Sequence, residues 1–115
     1  SRVSAEDRYH PTAVAASGVI CAVPCRLRLV TGRNTGAAAR YFQLFDTAAV
    51  PGNGVLPDQA PILVVAGGSF SFAPDEAYFH NGCCWATSTT DAAKTVGAAE
   101  MWVQATFTVQ TGDRA

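Results

Sequence analysis

A chain of 115 residues with a formal net charge of −1 holds one domain rather than two, because compact domains run to about 100 to 150 residues. Apolar residues make up 49% of it and charged residues only 15%, against a usual charged share of about 25%. That balance excludes intrinsic disorder and implies surface kept free of charge for contact. No apolar run approaches the roughly 20 residues of a membrane helix, and no basic segment leads into an apolar stretch as in a signal peptide. The expectation is a soluble protein made in the cytoplasm, with no membrane partner.

The charges are unevenly placed. Residues 1–40 carry Arg2, Arg8, Arg26, Arg28, Arg33 and Arg40 against Glu6 and Asp7, a balance of +4, and residues 41–115 carry Lys94 and Arg114 against seven acids, a balance of −5. A nucleic-acid binder shows a dense basic stripe with a high pI, whereas the sequence pI here is about 6.0 and Arg greatly outnumbers the single Lys94. Arg without Lys is the composition of protein interfaces instead. The reading is therefore a protein partner, no nucleic acid, and two halves able to pair head to tail.

Residues 1–12, SRVSAEDRYHPT, show neither helical nor strand period and read as an N-terminal arm, with the domain proper over 13–115. Residues 13–23, AVAASGVICAV, are apolar and partly β-branched, and Pro24 breaks them. Residues 25–30, CRLRLV, then alternate, with Leu27 and Leu29 on one face and Arg26 and Arg28 on the other. TGRNTG, residues 31–36, is turn chemistry. Residues 38–45 resume as a strand around Tyr41, Phe42 and Phe45. Residues 46–61 contain Pro51, Gly52, Asn53, Gly54, Pro57 and Pro61 and form a long surface loop, whose length calls for a role. A short strand at 62–66, a tight turn at Gly67 and Gly68, and an alternating strand at 69–72 follow. Residues 75–81 hold a helical turn or another short strand. Residues 83–89 read as a strand, 91–97 as a turn, and 100–110 as the clearest strand, with Met101, Val103, Ala105, Phe107 and Val109 on one face and Trp102, Gln104, Thr106, Thr108 and Gln110 on the other. Seven or eight short strands, punctuated by Gly and Pro, predict an all-β antiparallel sandwich or jelly-roll-like barrel with an extended N-terminal arm.

No motif in this sequence carries established chemistry. The glycines of residues 52–57, GNGVLP, end in proline where a dinucleotide fingerprint needs glycine, and Ala93 precedes Lys94 where a phosphate loop needs glycine. A catalytic triad needs a base oriented by a carboxylate beside a nucleophile. His80 with Asp75 or Glu76 is the nearest approach, and His80 beside Asn81 and Gly82 reads better as a polar loop residue. Cys21, Cys25, Cys83 and Cys84 lack the CxxC knuckles of structural zinc sites. Adjacent strand residues point to opposite faces, so Cys83 and Cys84 do not share a ligand set without a kink. They are read as free buried thiols, ahead of a disulfide or a metal site. Trp85 and Trp102 either line a sugar-binding face or fill the core and a subunit contact, and Trp102, on a polar strand face, is assigned to a buried interface. Neither enzymatic activity nor a cofactor is expected.

One set of segments resembles a known group: RYFQLFD at 40–46, a Pro/Gly loop ending in PILVV at 61–65, GGSFSF at 67–72, and FHNGCCWATSTT at 79–90. The chain is similar there to the small β-sandwich virion proteins of tailed double-stranded-DNA bacteriophages, capsid decoration or cement proteins among them. Gly82, Ala86, Ser88, Thr89 and Thr90 match the last piece, while Cys83 and Cys84 replace the aliphatic residues more usual there. The resemblance covers roughly residues 25–109. It implies a virion-located structural protein that binds and stabilises a shell of major capsid protein and self-associates, as a trimer, with a head or tail receptor- or glycan-binding module as the alternative. The contact residues expected on this reading are Arg2, Arg8, Tyr9 and His10 of the arm, Arg26, Arg28 and Arg40, and Trp102.

Overall fold

In a computed structural model, which describes residues 6–74 and 77–109, all regular structure is β-strand. Nine strands follow in chain order: β1 (Glu6–Tyr9), β2 (Ser17–Cys21), β3 (Cys25–Asn34), β4 (Arg40–Phe45), β5 (Ile62–Val64), β6 (Ser69–Phe72), β7 (Ala77–Phe79), β8 (Cys83–Ser88) and β9 (Met101–Val109). They form two antiparallel sheets, one ordered β1-β9-β3-β6 with β7 also on β3, the other ordered β2-β8-β4-β5. β7 aside, the pairs β1 with β9, β2 with β8, β3 with β6 and β4 with β5 are nested, as in one long hairpin rolled up so that strands alternate between sheets except at its β4-β5 tip. That is the jelly-roll order, and it bears out the expected sandwich.

The alternation of β9 is what fixes the core. Met101, Val103, Ala105 and Phe107 are buried on one face while Trp102 stays exposed on the other. They meet Leu27, Val30, Phe42, Leu44, Phe79, Cys83 and Trp85 between the sheets. Burying such side chains contributes about 1.5 to 3 kcal/mol each. Phe42 stacks on Trp85 at 5.9 Å and meets Phe70 at 4.6 Å, so three aromatics from three strands set the spacing of the sheets. Gly82 enters this core from a backbone at φ 143°, and a Cβ there would lie 2.8 Å from both Cys21 O and Thr47 O. Only glycine fits.

Several sequence expectations are corrected. The TGRN of residues 31–34 is not a turn but the second half of β3, because β9 pairs it on one side and β6 on the other, so all its backbone groups lie within a ladder. Gly32 suits that strand because the Phe70 ring crosses it, and a Cβ would lie 2.4 Å from that ring. Leu27 and Leu29 do not share a face. The register slips between them, with Leu27 opposite Phe107 and Leu29 opposite Thr106, leaving Arg28 as the extra residue of a β-bulge and Leu29 38% exposed. Within residues 13–23 only Ser17–Cys21 is strand, with Ala15 bridged to Met101. The supposed arm contributes β1, because β9 would otherwise end the sheet with unpaired backbone groups. Residues 1–5 of that arm lie outside the described residues. Of the two options for residues 75–81, the short strand is right, as β7.

The long loop has its role here. Gln43, on the outward face of β4, is fully buried and donates to Ala92 O at 2.7 Å. Phe45, Cys84 and Ala86 form a second buried cluster on that side with Val50 against it. Residues 46–61 and 89–97 lie over this face and are tied together: Gly54 N donates to Lys94 O, Lys94 N to Val55 O, and Lys94 Nζ to Asn53 Oδ1. Every residue of β8 is buried in consequence. The outer side of the β2-β8-β4-β5 sheet is roofed, whereas the outer side of the β1-β9-β3-β6 sheet carries exposed positions along its strands.

Candidate docking face

Opposed residues of an antiparallel pair point to the same side, so the registers turn the open face into rows. One row is Arg8, Thr106 and Leu29; the next is Gln104, Thr31 and Ser71; the third is Trp102, Arg33 and Ser69; the fourth is Thr108, Arg26 and Tyr78. From Trp102 to Thr108 the strand advances about 20 Å at ~3.4 Å per residue. Two adjoining hollows lie along it and share Thr31 and Gln104. One, of about 260 Å³, is lined by Arg8, His10, Leu29 and Thr106, and the other, of about 370 Å³, by Arg33, Ser69, Phe70 and Trp102.

The anchors at the two ends are held. Trp102 Nε1 donates to Pro11 O at 3.2 Å, which fixes the indole with 43% of the residue exposed. At the other end the Arg26 guanidinium lies 5.0 Å from the Tyr78 ring centroid, and the His80 ring meets Tyr78 edge-on at 4.4 Å. Such stacking holds a cation in place without neutralising it.

Of the expected contact residues, Arg8, His10, Arg26 and Trp102 come together on or beside this face, and Arg28 sits at the bulge of β3. Tyr9 also borders the first hollow, but its ring serves the core. Its register partner Ala105 faces the core, and its hydroxyl accepts a hydrogen bond from Trp85 Nε1 at 3.0 Å. Arg40 is on the other sheet, half-buried, with Nη1 donating to Ala39 O. Arg2 lies outside the described residues. Trp102 is exposed rather than buried within this chain, whereas Trp85 is fully buried and is no sugar platform. Arg33, Thr31, Gln104, Ser69 and Ser71 were missed; reading on from CRLRLV through TGRN at strand period would have found Arg33.

Other candidate chemistry is occupied by structure. Asp46 accepts from His80 N at 3.1 Å and Asn81 N at 2.8 Å, so this carboxylate caps the turn before β8. Asp75 and Glu76, the carboxylates considered for His80, lie outside the described residues. All four cysteines are free and buried. Burial pushes the Cys25 thiol from an ordinary 9.0 to about 12, with Cys21 beside it adding to the shift, and it raises Cys83 and Cys84 too. Such thiols stay protonated and inert. Among the described residues no group of three or more His, Cys, Asp or Glu side chains is arranged to hold a metal ion.

The chain matches no protein-family model, and no curated protein matches it. Among solved structures the coat protein of Tobacco streak virus is similar at 11% identity, over 97% of this chain and 90% of its own, with a TM-score of 0.46. So loose a likeness carries no inference.

Proposed function

We propose that this chain is a virion structural protein, a non-enzymatic assembly component located on the particle and made in the host cytoplasm. The observation that carries the reading is the jelly-roll order of its strands combined with an apolar strand, β5, at a sheet edge. Jelly rolls recur in viral capsid and lectin domains, an argument from fold-level analogy that needs a site beside it. The site is the β5 edge. Leu56, Leu63 and Val65 are 64%, 54% and 59% exposed on this strand and the loops beside it. β5 itself, ILV, carries no charge and no proline, the usual devices that keep an edge strand from pairing with another chain.

The finer reading is a decoration protein of a tailed-phage capsid. It binds the major capsid protein along this edge and self-associates as a trimer, with weak contacts multiplied by the symmetry of the shell. Sedimentation of the full chain, alone and mixed with purified capsid shells, tests it. Multimers and co-sedimentation are expected, both lost in Leu63→Asp. A chain that stays monomeric at high concentration and leaves shells unbound overturns the reading. The exposed Trp102 ring beside Gln104, Thr31 and Ser69 favours a second reading, a glycan-binding module of head or tail. Binding to a sugar array that Trp102→Ala abolishes would favour it.

A further inference from the structure

We infer that the open β1-β9-β3 face is a binding site for single-stranded nucleic acid. The inference goes beyond the assembly reading and does not depend on it, since it uses the other sheet, and it revises the expectation of no nucleic acid.

The charged side chains described on the four rows of this face are arginines. Arg8, Arg26 and Arg33 fall on three of its four rows, about 20 Å from end to end along β9. Most carboxylates whose side chains are described lie elsewhere, Glu100 following directly on the Trp102 end of the strip, where its carbonyl accepts from Thr35 N. Asp46 and Asp58 accept backbone N–H groups in the loops of the other sheet. Asp91 belongs to the turn after β8, Glu100 lies against Gly36, and Asp7 shares its row with the inward Phe107. By register Glu6 pairs with Thr108 on the outermost strand. The partner complementary to such a strip is an anion at least as long as the strip.

Its other groups select the kind of anion. Between the arginines stand uncharged hydrogen-bonding groups, Thr31, Ser69, Ser71, Gln104, Thr106 and Thr108. Aromatic rings stand at both ends, Trp102 pinned through its indole nitrogen and Tyr78 beside Arg26. Bases stack on exposed rings while phosphates meet arginine, whichever base is offered, which is how sheet surfaces hold single strands. An acidic peptide would use the arginines and leave the rings idle. A duplex offers no free base to stack, and three arginines contact few of its phosphates.

Three phosphate contacts predict a weak, salt-dependent complex whose log affinity falls with log salt at a slope of about −2, from ~0.7 per contact for single strands. Fluorescence anisotropy of the full chain with labelled twelve-residue oligo-U and oligo-dT tests this at low salt. A twelve-base-pair duplex and a polyglutamate peptide serve as competitors. Binding at that slope is expected. Arg33→Gln should lower the slope by ~0.7, and Trp102→Ala should weaken binding about fivefold or more. Both variants should keep the parent circular dichroism spectrum, and Leu63→Ser, on the other sheet, should bind as the parent does. Preference for oligo-U over oligo-dT would identify RNA as the natural ligand; equal binding would identify single strands of either kind. Absence of binding at low salt, displacement by polyglutamate as effective as by the unlabelled strand, or indifference to Trp102→Ala overturns the inference.

Discussion

Cys83 and Cys84 are chain neighbours with separate fates. Cys83 enters the core between the sheets, and Cys84 enters the small cluster under the loop roof, where its Sγ lies 3.1 Å from Thr47 O. The period of two in a strand put them there, and the opposite-face expectation for this pair holds. Burial then sets their chemistry, as it does for Cys25. A thiol whose folded pKa lies above its unfolded value keeps its proton longer in the folded chain. Its contribution to stability is therefore intact below pH 9 and is lost as pH rises toward 12, the window set by Cys25. The midpoint of urea unfolding should be level from about pH 7 to 8.5 and fall above about pH 9. Cys25→Ala should flatten that fall, at a small cost from the lost sulfur. Equal alkaline slopes for variant and parent would mean that this thiol does not couple to folding.

Among the elements, β1 departs most from the sequence reading and is the most exposed to test. Four residues hold it to the sheet edge, and the Tyr9 hydroxyl carries the hydrogen bond of the buried Trp85 indole. Deleting residues 1–12 therefore removes a strand rather than a tail. The truncated chain leaves β9 as an open edge and leaves Trp85 Nε1 without its partner, which costs about 1 to 3 kcal/mol by itself. A lowered unfolding midpoint together with increased aggregation is expected. Tyr9→Phe, which keeps the ring and removes the acceptor, should reproduce only the smaller indole share. If truncation leaves the midpoint unchanged, β1 contributes nothing to stability and the segment is an arm after all.

For the molecule as a whole, the nested strand order means that distant parts of the chain hold each sheet: β1 with β9 and β2 with β8 join residues near opposite ends. Folding thus depends on long-range pairing, which is slow, and on the inward face of β9 being apolar throughout. Phe107→Asp places a charge opposite Leu27 and Asp7 in that layer. A buried charge without a partner costs several kcal/mol, comparable to the stability of a small domain. The variant should lose the native far-ultraviolet spectrum or cooperative melting. A variant that melts like the parent would show that β9 does not organise the core.

Features that repeat locally were legible in the chain alone. Alternation in residues 101–109 gave the strand and its buried face, the glycines and prolines of 46–61 gave the loop, and the absence of helical period gave an all-β sandwich. Those signals lie within a few residues of one another, so they need no partner to be read. Features that depend on pairing emerged only with the strands in place. TGRN looks like a turn until β6 and β9 flank it, Leu29 is displaced by a bulge that only register reveals, and residues 6–9 become a strand only because β9 offers an edge. The candidate site belongs to this second group. Arg8, Arg26 and Arg33 are scattered among uncharged residues along the chain, and a net charge of −1 averages them away. They come to one side because β1 and β3 flank β9, while the loops seal the other sheet.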